Sequence, residues 1–232
     1  MSVAFTVTDR HTGDDVHVAV PEELRTLDDF RRWVATESVP EKLKLRFHRG
    51  TTEILMAAEE VESHVLLKGD LTIQLGQFVH ANNLGRVFPD GTLLTNDEAQ
   101  IANEPDLIFC RFETLQARKA FPRPSIPGFR HSIELCGSPD LVVEIVSKSS
   151  VRKDKIELRE SYFEAGIDEY WIIDARRDGV ELMILTRGDN GYDEVAVGAD
   201  GSRWSAILGR GVEITRDTDV AGLYLYSLIL LS

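Results

Sequence analysis

Short apolar segments with a period of two residues dominate the hydrophobic pattern of this chain, and they predict a protein rich in β-strands. Residues 3–20 alternate on both sides of HTGDD, which predicts a hairpin. A second hairpin is expected where LKLRF and EILM flank RGTT, and a third in GRVFPDGTLLT, which contains a PDG turn.

Single strands are expected further along the chain, after the segment NDEAQIANEP, which has the composition of a loop. The strands are DLIFCRF, LVVEIV, EYWIIDA and VELMILT, followed by shorter ones to about residue 215. Turn residues separate these later segments, so the C-terminal portion is predicted to be rich in β-structure.

Three segments have the helical period instead. TLDDFRRWVATE begins with Thr26, a residue type suited to cap a helix, and a third helix is predicted from about Ser150 to Gly166. The second helix, over about 59–82, has one apolar face. This stripe begins at His64 and continues with Leu67, Leu71, Leu75 and Phe78. His64 is therefore expected to be buried.

These elements predict an α/β fold in which helices pack on a mixed central sheet, with extra N-terminal and C-terminal β hairpins. The 232 residues, 43% of them hydrophobic, suffice for a single domain over 1–232. Within it we expect an N-terminal β/helix extension over 1–40, a core over 41–186 and a β-rich portion over 187–232.

The net charge of −13 argues against a general nucleic-acid-binding protein, because contacts with phosphate need positive charge. It is compatible with an enzyme whose acidic site binds a divalent cation. The two cysteines have no disulfide or metal-site spacing, the polar N-terminus is unlike a signal peptide, and LYLYSLILL is too short to cross a bilayer. We therefore expect a cytoplasmic protein without membrane contact.

The most informative residue is Glu144, a carboxylate in the middle of the apolar segment LVVEIV. Asp140 shares its face of the strand but lies about 13 Å away. If DLIFCRF pairs antiparallel with LVVEIV, Asp106 comes beside Glu144 instead. Two adjacent carboxylates repel each other, and Mg²⁺ would relieve that repulsion. The alternative is a buried structural ion pair between Glu144 and a nearby lysine.

Two lysines on the following helix are candidates to face these carboxylates. Lys155 has the helical spacing of Leu158 and Tyr162, which places it on the buried stripe. Lys153 lies further round but would reach inward if the first turn frays. In the alternative interpretation each lysine packs only its stem and holds its ammonium group in water.

Several motifs together resemble the Uma-type restriction endonucleases, members of the PD-(D/E)XK nuclease superfamily. They are PDLVVEIVS before a basic helix, YFEAGIDEYWIIDA, EILMAAEEVESHVLLKGDL and EPDLIF, within residues 27–186. The resemblance implies a restriction-endonuclease-like fold and Mg²⁺-dependent cleavage of DNA, with Mn²⁺ as a substitute. It implies that Asp106 and Glu144 are the metal ligands, adds Asp140 as a second-rank catalytic residue, and places Glu53 and His64 near the entrance of the site.

The chain departs from the superfamily pattern in its lysine. The motif lysine would fall at Val146, and the helix lysine of the family would fall at Leu158. Lys155, one turn earlier, and Lys153 are the expected substitutes. The departure leaves open a catalytically inactive scaffold that serves as a nucleic-acid-binding or oligomerisation module. A third interpretation is a protein with structural carboxylates and no role with nucleic acids.

A basic segment, RKAFPRPSIPGFRH, is the predicted contact with DNA. Aromatic residues are interleaved with its cations, and it has no acidic residue. The candidate contacts are Arg118, Lys119, Arg123 and Arg130. The alternative is a solvated loop. We also expect a homodimer, because two sites related by symmetry suit the cleavage of both strands.

Overall fold

The computed structural model describes residues 2–8, 15–21, 24–36, 44–55, 59–124, 132 and 134–232. Within these ranges, two six-stranded mixed sheets form the centre of the fold. A two-stranded hairpin lies at the N-terminus and a three-stranded sheet at the C-terminus. The predicted α/β class, with hairpins added at both ends, is therefore confirmed.

The N-terminal hairpin pairs β1 (Ser2–Thr8) with β2 (Asp15–Pro21), as predicted, while its HTGDD turn lies outside the described residues. The first sheet has one parallel pair, β6 with β10, and is otherwise antiparallel. Its order is β4 (Thr51–Leu55), β3 (Lys44–His48), β7 (Ile101–Asn103), β6 (Leu93–Asn96), β10 (Glu134–Gly137) and β9 (Ala120–Arg123).

The second sheet contains the strands of the recognised motifs, and its parallel pair is β11 with β12. Its order is β14 (Tyr192–Glu194), β13 (Glu181–Arg187), β12 (Glu169–Asp174), β11 (Leu141–Ile145), β8 (Leu107–Arg111) and β5 (Gly85–Pro89). The C-terminal sheet has the order β15 (Arg203–Ser205), β16 (Arg210–Thr218) and β17 (Tyr224–Leu231).

The helices begin and end close to the predicted positions. In α1 (Leu27–Thr36) the predicted cap is present, since the Asp29 N–H donates to Thr26 Oγ1 at 3.1 Å. A π-helical turn (Val61–Leu66) leads into α2 (Leu67–Ala81), and a second one (Lys153–Glu157) leads into α4 (Leu158–Glu164). The short α3 (Phe112–Gln116) follows β8. After α4, Gly166 adopts a φ of +73° and ends the helix.

The two faces of β11 enter different parts of the core, as strand periodicity requires. Val142 and Val146 pack with α4 and with residues of the first sheet, including Leu94. Val143 packs in another cluster with α2, and residues of the C-terminal sheet such as Tyr226 complete that cluster. A third cluster holds α1 against the outer face of the first sheet. Glu144, which shares the face of Val142, therefore points toward the first sheet and α4.

The third predicted hairpin is wrong. The chain does turn after Pro89, where Gly91 has a φ of +84°. However, β5 pairs with β8 in the second sheet, whereas β6 pairs with β7 and β10 in the first. Turn chemistry specifies a change of direction but not the partner of each strand, and here the two strands beside the turn pair in different sheets.

The prediction of a loop over NDEAQIANEP is also wrong, because Ile101–Asn103 forms β7. The strand has only three residues, and its neighbours in sequence are polar, so it has no period long enough to detect. It forms because β3 and β6 pair with it on its two sides. This strand matters for the site, since Asn103 reaches Glu144.

Candidate active site

Asp106 and Glu144 lie side by side in the structure. The strands β8 and β11 pair antiparallel with Leu107 opposite Val143, which places Asp106 next to Glu144 as expected. Both residues are 3% exposed. The backbone N–H of Ile145 donates to Asp106 Oδ2 at 2.7 Å, so the aspartate is fixed against the strand that carries the glutamate.

Glu144 is held by neutral donors from two other elements. Its Oε1 accepts hydrogen bonds from the Tyr162 hydroxyl at 2.5 Å and from Asn103 Nδ2 at 2.9 Å. Burial raises the pKa of Glu144 to about 8, although the ammonium of Lys153 opposes this shift. The site therefore holds a carboxylate that is costly to ionise unless positive charge is near.

Lys153, rather than Lys155, is the helix lysine that faces Glu144. Its Nζ lies 3.9 Å from Glu144 Oε2, and the buried carboxylates around it raise the pKa of Lys153 despite the opposing effect of burial. Lys155 Nζ lies 3.3 Å from Asp174 Oδ2 and 3.4 Å from Glu181 Oε2. The predicted helix face was wrong because Lys153–Glu157 is a π-helical turn, which shifts the register of every residue before α4.

A network of carboxylates and lysines adjoins Asp106 on its other side. Lys68 Nζ lies 2.7 Å from Glu59 Oε2, 2.9 Å from Asp90 Oδ2 and 3.2 Å from Asp106 Oδ1. Lys44 Nζ lies 2.6 Å from Glu59 Oε1 and 3.2 Å from Asp90 Oδ1. Burial lowers the pKa of both lysines, but the carboxylates outweigh it and the net shift is upward. Both lysines therefore stay charged.

His64 is buried, as predicted, and both of its ring nitrogens face carboxylates. Nδ1 lies 3.1 Å from Glu59 Oε2, and Nε2 lies 3.5 Å from Asp106 Oδ2. The donor atoms of Glu59, His64 and Asp106 lie within 4.8 Å of one another, which suits a metal ion. The neighbouring imidazole and lysines lower the pKa of Glu59, so it remains ionised.

The structure does not bring Asp140 to this cluster. Its Oδ2 accepts the Arg111 N–H at 2.8 Å and its Oδ1 accepts the Thr114 hydroxyl at 2.9 Å, at the far end of β11. These contacts join the start of β11 to the end of β8 and to α3. Glu53 is exposed, and its Oε2 is 3.2 Å from Arg46 Nη1.

The basic segment also lies away from Glu144. Lys119 O accepts the Ser138 N–H, so the exposed Arg118 and Lys119 are at the end of β11 where Asp140 lies. Arg118 stacks on the ring of Phe121, and Arg123 Nη1 is 2.8 Å from Asp97 Oδ2. Arg130 lies outside the described residues.

The sequence reasoning missed several residues of the cluster. Lys68 could have been found, because it follows His64 by four residues and therefore shares its helix face. The remaining ones come from unrelated positions in the chain and have no common spacing. They are Lys44, Glu59, Asp90 and Asn103.

The comparison with protein families fits this geometry. The family model Uma2, described as "Putative restriction endonuclease", matches residues 27–217. The chain belongs to this family. Membership in Uma2 supports a nuclease function and a nucleic-acid substrate.

A solved structure has a similar fold. It is described as a "putative nuclease belonging to DUF820 from Anabaena variabilis", with a TM-score of 0.57 and 15% sequence identity, over 79% of this chain and 90% of that chain. At that identity the likeness shows the fold alone. No curated protein sequence matches this Uma2 member. Among the described residues, no helix has the length and apolarity needed to cross a bilayer.

Proposed function

We propose that this Uma2 protein is a metal-dependent endonuclease that hydrolyses phosphodiester bonds of DNA. The observation that carries the proposal is the buried pair of Asp106 and Glu144 on adjacent strands, with the ammonium of Lys153 beside it. Structural ion pairs usually match one carboxylate with one cation. Here the carboxylates of Glu59, Asp90, Asp106, Glu144 and Asp154 share the ammonium groups of only Lys44, Lys68 and Lys153. This excess of carboxylates and the raised glutamate pKa leave room for an additional positive charge.

The residues present fit a divalent cation. Asp106 and Glu144 would hold Mg²⁺, or Mn²⁺ in its place, because both supply the oxygen ligands that these ions prefer. When bound, such an ion lowers the pKa of water and stabilises negative charge on phosphate. Tyr162 and Asn103 fix the orientation of Glu144 through their hydrogen bonds to Oε1, which leaves Oε2 without a hydrogen bond among the described residues.

Lys153 is the proposed replacement for the motif lysine. Its position on the π-helical turn lets a charged ammonium group approach Glu144 from the helix, where the strand position is occupied by the buried Val146. There the ammonium can orient an attacking water or stabilise the charge that develops on phosphate. Asp106 and the Ile145 N–H keep the two strands in register beneath it.

Cleavage of plasmid and single-stranded DNA with Mg²⁺ or Mn²⁺ tests the proposal. We expect cleavage by the wild type, its loss in Glu144→Gln and Asp106→Asn, and a loss of at least a hundredfold in Lys153→Met. Lys155→Met is the matched control, since Lys155 faces Asp174 instead, and it should keep its activity. Cleavage that survives in Glu144→Gln would refute the site. A parallel assay on RNA tests the choice of DNA, and sedimentation tests the proposed homodimer.

A second candidate is a catalytically inactive module that binds nucleic acid or assembles copies of the chain. Two observations favour it: the motif lysine is replaced by Val146, and two lysines of the protein already neutralise the carboxylates around Asp106. DNA binding without cleavage, and without uptake of a divalent cation, would support this second candidate over the first.

A further inference from the structure

His64 is placed in an environment that an ordinary core histidine does not have. It is 4% exposed and opens the apolar stripe of α2, yet both of its ring nitrogens face carboxylates. Nδ1 is close to Glu59 Oε2 but poorly aligned with it, and has no hydrogen-bond partner among the described residues. A buried nitrogen without a well-directed partner is costly, so this imidazole is not there for packing alone.

The neighbouring contacts show which of the two carboxylates is available to a cation. Both oxygens of Glu59 are engaged by ammonium groups, Oε1 by Lys44 and Oε2 by Lys68. Asp106 Oδ1 faces Lys68 as well. Asp106 Oδ2 accepts only the Ile145 N–H within the described residues. Because a carboxylate oxygen has two lone pairs, Oδ2 can still bind an ion.

The remaining pair of donor atoms has a suitable separation. His64 Nε2 and Asp106 Oδ2 are 3.5 Å apart. Two ligands of one ion, each about 2.1 Å from it, are separated by roughly 3.0 to 3.4 Å at angles between octahedral and tetrahedral values. Glu59 Oε2 lies 3.1 Å from Nδ1, on the side of the ring where an outer carboxylate would orient a metal-bound histidine once the Nδ1–H points at it.

We propose that His64 is a nitrogen ligand of the cation that Asp106 holds, that Glu59 orients it, and that the site therefore prefers Mn²⁺ to Mg²⁺. This inference rests on the proposed metal-dependent function and adds a protein ligand to it. Imidazole is a good ligand for transition metals, whereas Mg²⁺ favours oxygen and keeps its waters. The nitrogen donor of His64, rather than the carboxylates, would set the selectivity for Mn²⁺ over Mg²⁺.

Calorimetry on the full chain tests the preference, with Mn²⁺ and Mg²⁺ as the probes. We expect the wild type to bind Mn²⁺ at least tenfold more tightly than Mg²⁺. The His64→Gln variant should lose about tenfold or more in Mn²⁺ affinity and much less in Mg²⁺ affinity. The matched control is His80→Gln, an exposed histidine on the same helix, and it should behave as the wild type.

Pulsed EPR of the Mn²⁺-loaded protein tests the ligand directly. Coupling between Mn²⁺ and a directly bound nitrogen should be present in the wild type and in His80→Gln, and absent in His64→Gln. Labelling wild-type histidine with heavy nitrogen should change this coupling, which keeps the test decisive even where the His64 variant does not fold.

The outcomes separate this inference from the proposed function. Mn²⁺ binding that depends on Asp106, without nitrogen coupling and without a change in His64→Gln, would overturn the role of His64 and leave the metal-dependent function standing. A wild type that binds neither ion would overturn both.

Discussion

Removing the ammonium group of Lys68 should destabilise the protein, because Glu59, Asp90 and Asp106 would then share only the ammonium of Lys44 within the network. Lys68 Nζ lies 2.7 to 3.2 Å from oxygens of Glu59, Asp90 and Asp106, and its side chain is 11% exposed. At an effective dielectric constant of 20, each such pair attracts by roughly 5 kcal/mol before desolvation is subtracted. Removing one partner of a buried ion pair lowers the free energy of unfolding by about 3–5 kcal/mol.

Solvent reduces this figure, since the side chains of Glu59 and Asp90 are 24% and 33% exposed. We therefore expect Lys68→Met to lower the free energy of unfolding by about 3 kcal/mol at pH 7.5. The deficit should shrink below about pH 5, because one carboxylate of the variant's native state then takes up a proton before the unfolded chain does. Methionine keeps most of the volume and apolar contact of the stem, so cavity formation contributes little.

Urea unfolding followed by circular dichroism measures the effect, without divalent cations in the buffer. The matched control is Lys119→Met, at an exposed lysine that forms no ion pair within the described residues, and it should change stability by less than about 0.5 kcal/mol. If Lys68→Met is as stable as this control at pH 7.5, the network is not a source of stability and the reasoning is refuted.

Three further predictions concern other parts of the fold. Without cations, the free energy of unfolding of the wild type should fall as the pH rises from about 4.5 to about 8, because in this range only the folded state keeps the Glu144 proton. The slope should be about 1.4 kcal/mol per pH unit. Urea titrations of Glu144→Gln should lack this slope. Asp140→Ala should lower the free energy of unfolding by about 2–3 kcal/mol, because the hydrogen bonds to Arg111 and Thr114 are lost. Calorimetry should show unchanged metal binding in this variant. Loss of metal binding would instead place Asp140 in the active site. Thr26→Ala should cost about 1 kcal/mol in thermal unfolding through loss of the α1 cap, and Thr26→Ser should cost almost nothing.

The parts of the fold that the sequence predicted are those with a long, regular period. The stripe of α2 and the alternation of β11 each extend over several residues, and both were located correctly, including the burial of His64 and the face of Glu144. The position of Asp106 followed from one topological assumption, antiparallel pairing with the preceding strand, and the register confirms it.

The failures have a different cause, since they depend on contacts between distant parts of the chain. The three-residue β7 forms because two strands flank it, and no local pattern distinguishes it from a loop. Lys44 joins the cluster from a strand 62 residues before Asp106, a distance at which spacing carries no information. Lys155 faces Asp174 instead of the expected side of the helix, because the expectation assumed 3.6 residues per turn where the helix is wider.

The π-helical turn also accommodates one residue that an α-helical turn would not hold. Such a turn absorbs the extra residue without rotating the segments on its two sides, so the loss of one residue from Lys153–Glu157, with a return to α-helical winding, would leave the helix before it in the same orientation. Ile156 is 64% exposed, so its loss would remove little core packing. We therefore expect the chain to tolerate deletion of Ile156 with Lys153 still facing Glu144, whereas a deletion between Leu158 and Tyr162 would rotate Lys153 by about 100° relative to Tyr162.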